Sequence, residues 1–366
     1  MAALVASSDD EPVEEDPDRL RSAVEWRDGR LEVIDQTVLP GQVRVLRLAG
    51  VAEVVDALRR LVVRGAPAIG VCGAFGVVVG LAEREVQDPA AARRHLDELA
   101  ATLEAARPTA VNLGWAVRRV AAAARGGSDP AAMRRLALEE ALRIQEEDRA
   151  ACRRIGETGR ELLAGRDRLL THCNTGRLAT AGIGTALAVV YAKAAAGEPV
   201  QVWATETRPL LQGARLTAWE LVTAGIPVTL VADGAAGAAM AAGRVDAVLV
   251  GCDRVARNGD TANKVGTYGL AVLAHANGVP FYVVGPLSSF DPAAADGHAI
   301  EIEQRAAAEL RELAGARLAP EQAEVWNPAF DVTPAELITA FVTDAGVLHP
   351  PFASSIPAAL AGQPAP

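Results

Sequence analysis

From about residue 166 onward the apolar positions gather into short runs: Arg168 to Thr171, Val200 to Ala204, Val228 to Ala232, Ala247 to Val250 and Phe281 to Val284. Each of the first four is followed by a helix-compatible stretch of roughly ten to twenty residues, the rhythm of strand-helix-strand crossovers that build a parallel sheet. Between Ala52 and about Arg160 the pattern is helical instead. Ala/Leu/Arg-rich stretches there are separated by Gly65-Ala66-Pro67, Pro108 and Gly126-Gly127-Ser128-Asp129-Pro130. Ahead of them, Val24-Glu25-Trp26 and Leu31-Glu32-Val33-Ile34 flank Asp28-Gly29, a strong hairpin-turn dipeptide. The expected fold class is α/β: an N-terminal mainly helical domain with a small β element over 21–160, then a Rossmann-like domain with a parallel sheet over 161–349.

Composition agrees with two domains. The chain has 366 residues, and 50% hydrophobic content with only 4% aromatic implies cores of Ala, Val and Leu. The acidic stretch 1–20 and the Pro/Ala-rich tail 350–366 hold too little apolar surface to offset ordering entropy, so both are expected to be disordered. A formal net charge of -10 argues against nucleic acid or an anionic membrane as partner, since both are bound through surplus Lys and Arg. Any phosphate site must then be local. Cys72, Cys152, Cys173 and Cys252 lack paired spacing, which speaks against a disulfide framework or a zinc cluster and for a reducing cytoplasm. The histidines lack ligand spacing as well, so no metal is expected. The acidic start excludes an ordinary secretory signal, and the apolar stretch from Ile69 to Leu81 is glycine-rich and short for a bilayer span.

In open parallel sheets ligands bind outside the carboxyl ends of the strands. Just past those ends stand Cys173-Asn174-Thr175-Gly176, Glu206-Thr207-Arg208, Asp233-Gly234 and Asp253-Arg254. A thiol and several acids thus share one rim. No Gly-x-Gly-x-x-Gly follows the first strand, so dinucleotide binding is not supported, and no other cofactor is indicated.

Each candidate competes with a plainer role. A lone cysteine is more often a small buried residue than a reactive one, but Cys173 lies on the ligand rim before an Ala/Gly-rich helix, whose N-terminus favours a thiolate. Asp253 ends an apolar run where aspartates often serve as turn or cap residues. A polar turn then delivers Asn263 and Lys264 to what reads as a helix start, and that company favours acid-base work. Cys252 faces the other way on a strand and reads as packing. Asp260 reads as structural. His172 also points away from Cys173, against a Cys-His pair. Arg64-Gly65-Ala66-Pro67-Ala68-Ile69-Gly70 can form a backbone nest with an arginine beside it. Alone it is a weak signal, as are Arg107 at a helix break and Gln212 on a helical stretch.

Taken together these segments resemble the methylthioribose-1-phosphate isomerases, aldose-ketose isomerases of methionine salvage. The resemblance runs from about Val24 to Leu348 through RGAPAIG (Arg64 to Gly70), RPTAVNLGWA (Arg107 to Ala116), THCNTG (Thr171 to Gly176), ETRPLLQGARLTAWEL (Glu206 to Leu221), NGDTANKVGTYGLA (Asn258 to Ala271) and NPAFDVTP (Asn327 to Pro334). It implies that Cys173 and Asp253 are the catalytic pair. It further implies that Arg64, Gly65, Ala66, Arg107, Gln212, Asn263 and Lys264 contact a sugar phosphate, and that the protein is a homodimer. The same fold is shared by regulatory subunits of the eukaryotic initiation-factor nucleotide exchanger, which are not isomerases. Cys252 and Arg177 depart from the family, which usually has alanine at both positions, while Gly114 and Gly234 stand where larger side chains are typical. Arg177 either adds a cation to the phosphate region or is simply exposed.

The implied substrate carries phosphate on its anomeric oxygen and cannot open to a free aldehyde unaided. An acid must protonate the ring oxygen before hydrogen moves from C2 to C1. That role falls to Asp253, whose carboxyl must stay protonated near neutral pH, and the C2 side falls to Cys173.

Overall fold

The computed structural model describes residues 22–84, 86–107, 110–313 and 315–362. The expected disorder of 1–20 falls outside them. The chain divides into two compact units, Met1–Glu146 and Glu147–Pro366. The division lies inside a long helix, earlier than the boundary expected at residue 160.

In the first unit, β1 (Val24–Arg27), β2 (Arg30–Ile34) and β3 (Val45–Leu48) form an antiparallel sheet in that order. The turn between β1 and β2 has φ of 50° at Asp28 and 77° at Gly29, the two left-handed residues of the hairpin turn that Asp-Gly encodes. The helices are α1 (Val51–Arg59), α2 (Ala66–Glu83), α3 (Pro89–Glu104), α4 (Val111–Arg125) and α5 (Pro130–Leu162), the last running on into the second unit. Among the described residues α2 alone would suit a bilayer by length and apolar composition, and it exceeds the short stretch marked by Ile69 and Leu81. Every residue from Ala68 to Leu81 is instead buried within the unit. A helix apolar on all sides is a core helix. Glycines let its neighbours come close: a Cβ on Gly73 would overlap Leu113 of α4, and one on Gly80 would lie 2.9 Å from Leu99 Cδ1 of α3.

The second unit opens on β4 (Arg168–Thr171), α6 (Ala186–Ala195), β5 (Gln201–Thr205), α7 (Ala218–Thr223), β6 (Val228–Val231), α8 (Ala236–Ala241) and β7 (Ala247–Val250). A short hairpin of β8 (Arg254–Ala256) and β9 (Thr261–Lys264) then precedes α9 (Thr267–Ala276), β10 (Phe281–Val284) and β11 (Phe290–Asp291). After α10 (Ala308–Arg311) and the paired β12 (Glu312–Leu313) and β13 (Ala316–Arg317) come β14 (Phe330–Thr333), β15 (Ala340–Thr343), β16 (Gly346–Leu348) and α11 (Phe352–Ala361). The five apolar runs are all strands of one seven-stranded sheet, ordered β16-β15-β10-β7-β4-β5-β6 and parallel except for the terminal β16. A second sheet, β11-β8-β9-β14, was not foreseen.

Both faces of the large sheet are covered, as a parallel sheet requires. Leu170, Val248, Val250, Phe281 and Val283 pack on one face with Met240, Leu270 and Ile356. Their strand neighbours Leu169, Ala247, Leu249, Tyr282 and Val284 pack on the other with Leu187, Val190 and Leu221. Strand order runs outward in both directions from β4, so the direction in which successive strands are added across the sheet reverses between β4 and β7. That is the topological switch point where such sheets bind ligands.

The tail corrects an expectation. Residues 352–361 are helical: Phe352 and Ile356, four apart on one face, are buried, and the Phe352 ring meets Phe341 edge-on at 4.7 Å. The Pro and Ala content hid an apolar pair with a partner elsewhere in the chain.

Candidate active site

Cys173 and Asp253 follow the two strands that flank the switch point. Thr171 of β4 pairs with Leu249 of β7, which places Cys173 two residues and Asp253 four residues beyond a shared rung. The strand ends touch: a Cβ on Gly251 would lie 2.9 Å from Thr175 Cγ2.

Cys173 is buried, with a left-handed φ of 63°. Its N–H donates to Thr207 Oγ1 at 2.9 Å, and its carbonyl accepts from Thr217 Oγ1 at 2.6 Å. Thr207 is itself left-handed at 66°, and Asp233 holds it there by accepting from Thr207 N (2.8 Å) and Arg208 N (2.7 Å). A β-branched residue with positive φ is a true outlier, costing of order 1 to 3 kcal/mol, and such strain gathers at functional sites. The Asp233 acid on the rim is therefore a backbone clamp. His172 turns away from the thiol: its Nδ1 lies 2.6 Å from Thr205 Oγ1 and its Nε2 2.9 Å from the Val265 carbonyl oxygen.

The loop is held from beneath by Glu220, fully buried on α7. Its carboxylate accepts from Asn174 Nδ2 (2.7 Å), Arg177 N (2.7 Å), Leu178 N (3.2 Å) and Tyr191 Oη (3.0 Å). Burial, then this carboxylate, drives the Tyr191 phenol upward and keeps it a donor. Arg177 lies half-buried over the Tyr191 ring at 5.1 Å, so the expectation of a simply exposed side chain is corrected. Ahead of α7 the stretch Gly213–Thr217 is π-helical, and it is this turn that brings the Thr217 hydroxyl to Cys173. Gly213 lies flush on β5, because a Cβ there would overlap the Thr205 carbonyl oxygen. Gln212, just before it, is buried, and its Oε1 meets no donor among the described residues, leaving a buried acceptor for a ligand.

On the β7 side, Asp253 is half-buried and its N–H donates to the Ala262 carbonyl at 3.0 Å. Cys252 packs against the sheet core, and burial followed by the Asp253 charge pushes its thiol up to about 12, which suits an inert packing residue. Asp260 accepts from Asn258 Nδ2, Gly297 N and Ala335 N and shapes the hairpin. Asn263 and Lys264 are not at a helix start, as their pattern had implied. They close strand β9, and α9 begins only after Gly266, at φ 107°. Antiparallel pairing with β14 sets Asp331 opposite Asn263 and Phe330 opposite Lys264. The Lys264 ammonium donates to the Ala329 carbonyl at 2.9 Å and lies 4.8 Å from the Phe330 ring centre. Asp331 accepts from Gly266 N (2.7 Å) and Tyr268 N (3.1 Å), capping α9, and burial raises its pKa despite both bonds.

In the first unit, Arg64 is buried and donates from Nε to Gln36 Oε1 at 2.9 Å. Gly65, at φ 97°, precedes Ala66, the first residue of α2, and neither α2 nor α4 has a side-chain cap at its N-terminus. A Cβ on Gly70 would lie 3.1 Å from the Asn112 carbonyl oxygen, so the two helix starts run side by side. Arg107 stands just ahead of α4. Uncapped first-turn N–H groups with arginines nearby favour an anion. Cys173, Asp253, Gln212, Asn263 and Lys264 thus belong to the second unit, and Arg64, Gly65, Ala66 and Arg107 to the first.

A model of the Initiation factor 2 subunit family matches residues 62–350. The chain belongs to that family. It is 51% identical to the 5-deoxyribose 1-phosphate isomerase of Moorella thermoacetica, over 93% of this chain and 97% of the relative. Curated relatives named methylthioribose-1-phosphate isomerase are 47% to 54% identical. Among solved structures, the 5-methylthioribose 1-phosphate isomerase of Pyrococcus horikoshii OT3 superposes with a TM-score of 0.89 at 39% identity, covering 96% of this chain and 100% of that one. A structure from A. fulgidus, titled translation initiation factor eIF-2B subunit delta, superposes with a TM-score of 0.85 at 43% identity, over 93% of this chain and 100% of that one.

Glu220, Thr207 and Asp331 were missed as site residues by sequence reasoning. Each lies inside a motif that had been recognised. The available signal was polarity out of place, such as the single acid in Leu216-Thr217-Ala218-Trp219-Glu220-Leu221.

Proposed function

We propose that the chain is an aldose-ketose isomerase that converts 5-methylthioribose 1-phosphate to 5-methylthioribulose 1-phosphate in methionine salvage, and that it also accepts 5-deoxyribose 1-phosphate. The observation that carries the reading is a strained thiol and a half-buried carboxyl on the two strand ends that flank the switch point. In this scheme Asp253 gives a proton to the ring oxygen as the bond from C1 to that oxygen breaks. Hydrogen then passes from C2 to C1 while the C2 hydroxyl loses its proton and becomes the carbonyl. Cys173 acts on the C2 side. If it removes the C2 proton, an enediolate-like enol forms across C1 and C2, and solvent hydrogen enters C1 as the C2 hydroxyl loses its proton. If hydrogen moves as hydride, Cys173 receives only the hydroxyl proton.

Substrate deuterated at C2 separates these routes, since full retention at C1 favours hydride and washout favours the base. Asn263 and Lys264 supply an amide and a cation near the acid, and Gln212 a buried amide whose Oε1 meets no donor among the described residues. The resemblance assigns Arg64, Gly65, Ala66 and Arg107 to substrate binding. It also supports a homodimer, and the unpaired cysteines support a cytoplasmic location. A turnover assay on methylthioribose 1-phosphate, 5-deoxyribose 1-phosphate and ribose 1,5-bisphosphate tests the reading. Conversion of only the last would reassign the substrate. Conversion of none would favour a non-catalytic sugar-phosphate-binding subunit.

A further inference from the structure

Two parts of the site come from distant stretches of chain, the Cys173 loop and the Asn263–Lys264 strand end. One side chain touches supports of both. His172 is buried, with its Nε2 2.9 Å from the carbonyl oxygen of Val265, the residue after Lys264. Its Nδ1 is 2.6 Å from Thr205 Oγ1, which lies 3.3 Å from Thr207 Oγ1, the acceptor of the Cys173 N–H. Gly266 packs directly on the ring, for a Cβ there would lie 2.9 Å from Cε1 and 3.1 Å from Nε2. A carbonyl only accepts, so Nε2 carries the proton. Burial lowers the ring's pKa and keeps it neutral, leaving the Nδ1 lone pair to accept from the Thr205 hydroxyl.

We propose that His172 is a positioning residue that sets the register between the Cys173 loop and the Asn263–Lys264 pair, acting through Thr205 and Thr207 on one side and through the Val265 carbonyl on the other. The role rests on the isomerase reading. The two ring nitrogens serve different parts of the site, so they can be removed separately. Asn at 172 reaches the Nδ1 position and keeps the Thr205 contact, whereas Gln reaches the Nε2 position and keeps the Val265 contact. His172→Asn, which releases the Asn263–Lys264 side, is expected to raise KM for the sugar 1-phosphate roughly tenfold with kcat within about threefold of the parent. His172→Gln, which releases the cysteine side, is expected to lower kcat roughly tenfold with KM nearly unchanged.

A second readout does not depend on turnover. Alkylation of Cys173 by iodoacetamide, followed by peptide mass, is expected to speed up in His172→Gln and to match the parent in His172→Asn. Variants that lose only melting temperature, with parental KM, kcat and alkylation rate in the folded protein, would reduce His172 to a core residue and overturn the proposal. If a His172 variant does not fold, Thr205→Val removes the same hydroxyl while keeping its shape. It is expected to show the His172→Gln pattern, and parental values there would overturn the proposal too. A parent that converts no sugar 1-phosphate would refute the isomerase reading, while the alkylation arm would still decide the role of His172.

Discussion

The ends of β4 and β7 are neighbours on one sheet, yet they are built by different means. Beyond β4 the chain is held by side chains: Thr207 and Thr217 fix both backbone groups of Cys173, and Glu220 gathers the following loop through three of its donors, with Tyr191 of α6 as the fourth. Beyond β7 it is held by backbone pairing, since Asp253 leads straight into β8 and β9, which the strand β14 extends. The thiol end therefore stores strain in a polar cage. The acid end takes its geometry from a ladder. This difference accounts for the long motifs around Glu206 to Leu221 and Asn327 to Pro334: one supplies the cage, the other the rung that carries Phe330 and Asp331 beside Lys264 and Asn263.

The widest gap is expected between two cysteines that flank the same crevice. Cys173→Ser should lower turnover by at least ~100-fold, the lower range for an acid-base group, and Asp253→Asn should do the same. Cys252→Ala, which trims a packing thiol, should stay within about threefold and within ~1 kcal/mol in stability. Steady-state kinetics and urea midpoints on the three variants check this, and equal losses at the two cysteines would erase the distinction between cage and packing.

The cage itself is tested next. In Glu220→Gln an amide NH2 replaces one oxygen, so some of the four donors then face a donor, at a cost of about 1.5 to 3 kcal/mol. Because the loop carries Cys173, turnover of the folded variant should fall about ten- to hundredfold while KM moves little, a misplacement effect. A variant that loses stability but keeps its kcat would show that the cage does not position the thiol. The ladder side predicts the reverse signature. Phe330→Leu removes the ring beneath the Lys264 ammonium, worth about 0.5 to 1 kcal/mol, so KM should rise roughly two- to fivefold at unchanged kcat.

This contrast also explains what the sequence could reveal. The sheet strands and the Asp28-Gly29 hairpin are local patterns of period and turn chemistry, and both were legible. So were the strand-end positions of Cys173 and Asp253, because each follows closely on an apolar run. The β8-β9-β14 sheet was not, since the pairing of β9 with β14 joins residues about 65 positions apart, as in the Lys264 to Ala329 hydrogen bond. For that reason Asn263 and Lys264 read as a helix start. Glu220 and Asp331 went unassigned for another reason: an acid out of place is a signal, but a carboxylate declares itself a scaffold only once burial and its N–H partners are known. The α11 pair, Phe352 and Ile356, was lost in Pro/Ala composition for want of any local sign of Phe341.

The smallest expected effect on turnover comes from a carboxyl that supports the β4 side at greater distance. Asp148 on α5 accepts from Ala181 N at 2.6 Å, just past the Cys173 loop, and burial outweighs that bond to raise its pKa from the ordinary 3.8 to about 6. With the folded value above the unfolded one, the protonated form favours the fold: its contribution is complete below 3.8 and is lost as pH rises through about 6. Asp148→Asn keeps an acceptor for Ala181 and abolishes the titration. Its stability relative to the parent should therefore be greater at pH 8 than at pH 4, by up to about 3 kcal/mol, with turnover at pH 8 within about twofold. Asp331 on the β7 side is also raised by burial, so Asp331→Asn should shift with pH in the same direction. Melting curves at both pH values decide the matter: a parallel shift in the two variants would mean that cage and ladder, unlike at the reacting groups, rest on the same device at their outer supports, and a pH-independent gap in either would remove it from that side.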